Sequence, residues 1–292
     1  LVQLETTEER NFKVVSDYTA ISDLGTATAG TININGNNHS IDLNSNNGIQ
    51  LANETTLNLN NITINNGTIA NITNDNATIN VANSTLNSDI TGGKGDLNVV
   101  NSTLSNVNIS NLTIESGTNS IVGAITATTL KVLAGNNTFG GNISATTKIE
   151  NGTNNFNGEI KNGTLNIADG DNTFTGTISS NTEVTGGKNT FAGNISASTT
   201  VNGGNNDFQG EIGTGTLSVV NGNNTFSGTI SSNTDITGGS NNFTGTITSN
   251  TTNISNGTNN ISGTFTNSNV TIAGGDIRFG ENTFADSNNS LK

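Results

Sequence analysis

Glu159 and Glu211 are the natural place to look for chemistry in this sequence. Hydrolysis of a glycosidic bond needs two carboxylates about 5–10 Å apart, and these two stand in the same context, Gly-Glu-Ile. Glu183 and Asp235 make a second matched pair, in Asn-Thr-Glu-Val and Asn-Thr-Asp-Ile. Basic groups to assist them are scarce, since the only arginines are Arg10 and Arg278, near opposite ends. The single histidine, His39, lies in the turn sequence Gly-Asn-Asn-His-Ser. Cysteine is absent, which excludes disulfides, thiolate metal sites and thiol catalysis. Asp169 and Asp171 flank Gly170 at a corner where oxygen ligands could hold Ca²⁺. The matching corners carry Asn151 and Gly186, however, and the Ca-binding nonapeptide G-G-x-G-x-D is missing. Whether any of these carboxylates meet depends on the elements that carry them.

Those elements are repeats. Ile62, Ile79, Leu97, Ile114, Val132, Ile149, Ile167, Val184, Val201, Val219, Ile236, Ile254 and Ile272 recur at steps of 17 or 18 residues. Seven residues after each comes a second column: Ile69, Leu86, Leu104, Ile121, Phe139, Phe156, Phe174, Phe191, Phe208, Phe226, Phe243, Ile261 and Phe279. From Ile125 a third column follows four later, through Ile143, Ile160, Ile178, Ile195, Ile212, Ile230, Ile247 and Phe265. Residues 139–190 and 191–242 match at 31 of 52 positions, so three coils are duplicated as a block.

Within each motif the apolar residues alternate with polar ones, the period of a strand. The corners are Gly, Asn and Asp, which tolerate positive φ and bond their own backbone. One coil offers only three or four inward apolar side chains, too few for a core, so neighbouring coils must bury one another. The spacing therefore predicts an all-β parallel β-helix (a β-solenoid) of about 14 coils of 17–18 residues. It is expected to be right-handed, because left-handed helices built on hexapeptides want an aliphatic every six residues on three equal faces. In this fold Glu159 and Glu211 stand three coils apart, roughly 14 Å at the strand spacing, too far to act on one bond. Thr147, Thr182, Thr199, Thr234 and Thr252 share one ladder position whose register turns them inward or to the rim, which argues against a flat ice-binding array. No catalytic, cofactor-binding or metal-binding residues are expected.

Composition agrees. Asn (58), Thr (49), Gly (36) and Ser (27) dominate, aromatics are 4% and charged residues 11%. Disordered chains are usually rich in Pro and charge, whereas this one has no Pro and evenly spaced aliphatics. The net charge of −13 excludes a nucleic-acid partner, which needs a basic stripe. No apolar run reaches the 18 residues of a membrane span. Residues 1–25 concentrate Glu5, Glu8, Glu9, Arg10, Lys13 and Asp17, and are expected to cap the solenoid of residues 26–279. Residues 280–292 form a short polar tail, leaving the coil around Phe279 without a matching cap. The chain starts at Leu1 and shows no signal peptide, as in a processed or excised segment. Among 23 Asn-x-Ser/Thr sequons, Asn66, Asn101, Asn142, Asn194 and Asn256 are candidate N-glycosylation sites.

The stretch Thr31-Ile-Asn-Ile-Asn-Gly-Asn-Asn-His-Ser-Ile-Asp42, with Gly48-Ile-Gln-Leu51 and Thr56-Leu-Asn-Leu-Asn-Asn-Ile-Thr-Ile64, resembles the opening coils of bacterial β-helix passengers. Such passengers are the secreted parts of type V autotransporters and two-partner-secreted adhesins. The later Asn-Asn-x-Phe-x-Gly-x-Ile coils resemble them as well. The resemblance implies export through an outer-membrane pore, display at the cell surface and a non-catalytic adhesive role. The implied partners are glycans or proteins of a host or neighbouring cell. The alternative is a self-assembling subunit that stacks end to end into an extracellular filament or layer, with copies of itself as partners.

Overall fold

The computed structural model describes residues 9–22, 24–27, 30–44, 48–71, 76–266, 268–281, 283–284 and 290–291. Contacts divide the chain into two units, Leu1–Thr146 and Thr147–Lys292. Each is a parallel β-solenoid, together about 14 turns, and no helix occurs among the described residues.

The second unit has the simpler register. Strands such as Asp171–Phe174, Lys188–Phe191, Asn205–Phe208, Asn223–Phe226 and Ser240–Phe243 stack on one face. Thr164–Ile167, Asn181–Val184, Thr199–Val201, Thr216–Val219 and Asn233–Ile236 stack on another. A third line consists of single bridges from Ile160 through Ile178, Ile195, Ile212, Ile230 and Ile247 to Phe265. Like pairs with like at many steps, as in Phe174 with Phe191 and Phe191 with Phe208, while Leu165 meets Thr182 and Phe243 meets Ile261. Phe156, Phe174, Phe191, Phe208, Phe226 and Phe243 are buried, their rings 4.6–5.0 Å apart and within 8° of parallel. The strand spacing imposes that distance, and it lies at the short end of favourable aromatic contact. The five threonines of the ladder position also point inward and are buried.

Two residues before each Phe stands a buried asparagine, and these form a second interior column. The amide of Asn172 donates to Asn189 Oδ1 at 2.8 Å, Asn189 to Asn206 at 2.8 Å, Asn206 to Asn224 at 2.8 Å and Asn224 to Asn241 at 2.9 Å. The other N–H of each amide reaches a backbone carbonyl three residues back, such as Asp169 O from Asn172 at 3.1 Å. That bond holds the corner, where Gly170 has φ 102° and Gly187 φ 79°. A Cβ on Gly187 would stand 2.6 Å from Gly170 O of the preceding coil, so only glycine turns the chain there.

In the first unit the coils are unequal, which corrects the uniform repeat of 17–18 residues. The asparagine column Asn33, Asn58, Asn80 and Asn98 steps by 25, 22 and 18 residues. Beyond it the register shifts between Gly92 and Asp96 and again between Val99 and Val100. The proposed aliphatic columns are therefore misassigned at some steps here, while Ile79 with Leu97, Ile114 with Val132, and Leu86 through Leu104 to Ile121 pair as expected. Ile79 and Leu97 pair with Leu57 and Leu112, whereas Ile114 pairs with Val99 and Val132. Ile69 pairs with Ile49 and Ile90 and so belongs to the column that continues through Val107 to Ile125. Ile64, not Ile69, stacks on Leu86. Ile62 and all the others to Ile254 are buried, while Ile272 is half-buried. Asparagines in the left-handed region, among them Asn37, Asn38, Asn44, Asn61, Asn66, Asn83 and Asn101, build these longer corners.

Both ends depart from the regular coils. Residues 1–8 and 23 of the expected cap lie outside the described residues. Arg10–Lys13, Tyr18–Thr19 and Gly25–Ala27 pair in parallel with the next coil, and so themselves form a coil. In the tail, residues 282, 285–289 and 292 lie outside the described residues. Its described part covers the preceding coil. Thr283 O accepts from Phe265 N at 2.8 Å and Thr283 Oγ1 donates to Ile261 O at 3.0 Å. Phe284 stacks on Phe265 at 5.2 Å and meets Phe279 edge-on at 5.0 Å. These contacts cover part of the end, at Phe265 and at Asn269–Val270, which pair with Ser290–Leu291, while Asp276–Phe279 stays largely exposed, as expected of a coil without a matching cap.

Two substitutions test the interior columns. Asn189→Ala leaves the Asn172 amide without its acceptor and Asn206 Oδ1 without its donor, and should cost about 2–3 kcal/mol. Phe191→Ala should cost about 3–5 kcal/mol. Chemical denaturation of the purified chain measures both, and unchanged transitions would place these side chains outside the core.

Candidate functional site

The third line of bridges positions the carboxylates. Because Ile160, Ile178, Ile195, Ile212, Ile230 and Ile247 point inward, the residues on either side point outward. Glu159, Thr177, Asn194 and Glu211 form one outer column, and Lys161, Ser179, Ser196, Gly213, Ser231 and Thr248 form the other. Glu159 is held by the side chains of Lys161 and Ser179. Lys161 Nζ lies 3.0 Å from Oε2, and Ser179 Oγ donates to Oε1 at 2.8 Å. The Lys161 hydrogen bond, then that of Ser179, holds the Glu159 carboxyl below the usual glutamate range against a small opposing effect of burial.

Glu211 repeats half of this arrangement. Ser231 Oγ donates to its Oε1 at 2.9 Å, and its backbone N–H donates to Asn194 Oδ1 at 2.9 Å. Gly213 stands where the earlier coil has Lys161, so no cation among the described residues pairs with Glu211. A shallow groove of about 370 Å³ opens there, lined by Glu211, Gly213, Thr214, Gly215, Ser231, Ser232, Asn233 and Asn250. The Ser232 hydroxyl in its wall is buried without a hydrogen-bond partner.

The remaining candidates separate. Glu159 and Glu211 lie three coils apart, as do Glu183 and Asp235. Glu183 accepts from Asn202 Nδ2 at 2.9 Å and Asp235 from Asn253 Nδ2 at 2.7 Å. Asp169 Oδ1 accepts from Gly170 N at 2.8 Å, and Asp171 faces Lys188 Nζ at 3.5 Å, so these two acids serve their own corner and a neighbouring coil. Among the described residues no three His, Asp or Glu side chains converge as a metal would require. His39 Nδ1 lies 3.6 Å from Asp17 Oδ1, which also accepts from Ser40 N at 2.8 Å. The Ser40 hydrogen bonds and then the His39 contact hold the Asp17 carboxyl below its ordinary range. All five singled-out sequon asparagines are exposed. The amide nitrogen, the atom a glycan would take, is engaged at Asn66 with Asp42 Oδ1 (2.8 Å) and at Asn101 with Asn83 Oδ1 (3.0 Å).

Reading the sequence for aliphatic columns passed over the asparagine ladder and the Gly213 groove. An Asn two residues before each of the seven Phe from Phe139 to Phe243 was the available signal for the first. For the second it was one of the differences between the duplicated blocks, Lys161 against Gly213. The chain matches no family model, no curated protein and no solved structure.

The Glu159 cluster sets a pH dependence. A carboxyl whose folded pKa is depressed contributes stability that is present above its unfolded value, near 4.3, and is lost as pH falls through the folded value. A side-chain carbon NMR titration should show Glu159 ionising below an ordinary glutamate. Lys161→Gln should move the midpoint upward, and an unchanged midpoint would show that the ion pair does not form in solution.

Proposed function

We infer that this chain is an extracellular, non-catalytic β-solenoid displayed at a cell surface, where it gives length and a repetitive polar face for adhesion. The observation that carries this reading is the fold itself, a stack of coils whose interior is filled by ladders and whose outer columns are short hydroxyl and amide side chains. Such a face offers many equal, weak hydrogen-bonding positions, and many weak contacts acting together give avidity. The resemblance of the Asn-rich coils to type V passengers supports export and display. Separation of the two glutamates by three coils, and the engagement of Glu159 by Lys161, support the absence of glycosidase chemistry. The end-to-end filament reading is less favoured, because Phe284 lies over Phe265 where a joint at that end would form.

Antibodies raised against the purified chain should label intact, unpermeabilised source cells, and external protease should remove the label. Labelling only after permeabilisation would overturn the surface reading. Incubation with pectic and glucan polysaccharides should release neither reducing nor unsaturated ends. Release that disappears in Glu159→Gln or Glu211→Gln would overturn the non-catalytic reading.

A further inference from the structure

Among the positions at which the two copies of the duplicated block differ, one outward position has a defined chemistry. In the first copy a carboxylate, Glu159, holds a hydroxyl on one oxygen and the ammonium of Lys161 on the other, at 2.8 and 3.0 Å. In the second copy the carboxylate and the hydroxyl are retained, with Ser231 Oγ 2.9 Å from Glu211 Oε1, while the lysine is replaced by Gly213.

Glycine is not required there by the backbone. A Cβ on Gly213 would meet Ile195 O at 3.7 Å and Glu211 Oε1 at 3.8 Å, ordinary van der Waals distances. Gly210 and Gly228, in the neighbouring corners, differ sharply, since a Cβ would come within 2.2 and 1.9 Å of a backbone oxygen. The missing side chain at 213 is therefore open space directed at the carboxylate, and the groove of about 370 Å³ occupies it. The Ser232 hydroxyl in its wall is buried without a partner, as is its counterpart Ser180 in the first copy, so the feature that sets the second copy apart is the open position at Gly213.

The geometry points to the groove at Glu211, Gly213 and Ser231 as a binding site for a primary ammonium group, seated where Lys161 Nζ sits in the duplicate coil. The ammonium carries three N–H donors. One faces Glu211 Oε2, the oxygen that Ser231 leaves unused, and the hydroxyl and amide groups of Ser231, Asn233 and Asn250 are within the same groove. Two sources share this chemistry, the side chain of a lysine on another protein and a free amino sugar. The site is exposed, so the interaction is weak, and it is screened by salt. The inference stands apart from the surface reading, since it rests on the groove alone.

The test is a titration of the ¹⁵N-labelled full chain with three probes: Nα-acetyl-lysine methylamide, glucosamine, and Nα,Nε-diacetyl-lysine methylamide as the uncharged control. Amide shifts at Gly213, Thr214, Ser231 and Ser232 are expected to saturate with at least one of the two ammonium probes, and the stronger of these identifies the source. The acetylated control should give no saturable shift. Raising the salt from about 0.01 M to about 1 M should weaken binding several-fold. Glu211→Gln should abolish it. Gly213→Lys should fill the groove and block it, leaving the remaining amide resonances unmoved as evidence of an intact fold. Conversely, Lys161→Gly should create a second responding cluster around Ser179. Saturable shifts that persist in Glu211→Gln or Gly213→Lys, an equal response to the acetylated control, no saturable shift with either ammonium probe, or no new site in Lys161→Gly would overturn the assignment.

Discussion

The constraint on which this structure depends is that like must stack on like, and the buried asparagines enforce it. Each amide has two N–H donors with different tasks. One closes the corner of its own coil by reaching a carbonyl three residues back, and the other crosses to the next asparagine at 2.7–2.9 Å. Corner shape and coil-to-coil register are thus tied to the same side chain. Coils of 17 and 18 residues keep the ladder unbroken, so the extra residue is taken up outside the strand. A slip of one residue within the strand itself would turn its asparagine outward, and the neighbouring amides would be left buried without partners, each at a cost of about 1–3 kcal/mol. Hydrophobic ladders alone do not enforce this, because Ile, Leu and Val substitute for one another across a step.

The same distinction explains what could be read from the sequence. In the second unit the coil length is nearly constant, and the phenylalanine column is unbroken from Phe156 to Phe243 and the bridged isoleucines from Ile160 to Ile247. The threonine column from Thr147 to Thr252 is interrupted only by Leu165 and Leu217, so all three were legible. In the first unit Ile69 and Ile64 are chemically interchangeable, and coil lengths of 15 to 25 residues leave counting as a poor guide. There a fixed step of 17–18 selects the wrong partner at Leu97 and Ile69 while still selecting a buried one. The asparagine ladder was hidden for a different reason. With 58 asparagines in the chain and polar residues mostly at the surface, one column among many drew no notice until its hydrogen bonds were seen.

The candidate site was legible in its parts but not in its arrangement. Glu159 and Glu211 stand out in the sequence as a matched pair, and their separation followed from the fold. What sequence spacing did not reveal is that each carboxylate is served from the next coil, by Ser179 and Ser231, twenty residues on. Nor did it reveal that a side chain is absent at Gly213 without steric need. Both facts depend on which residues face outward on neighbouring coils, which is a property of stacking and not of local sequence.

The duplicated block carries one more implication. Because residues 139–190 and 191–242 span whole coils, and the Asn and Phe columns run through residues 191–242 unchanged, excising or repeating such a block would bring every interior residue back onto its own kind. At the level of the gene, two related stretches, alike at 31 of 52 encoded positions, are also substrates for unequal crossing-over and replication slippage. The number of coils is therefore a heritable quantity that can drift in steps of three without passing through an unfoldable intermediate. Variation among strains would then appear as proteins of discrete lengths, each a multiple of the same block away from the others.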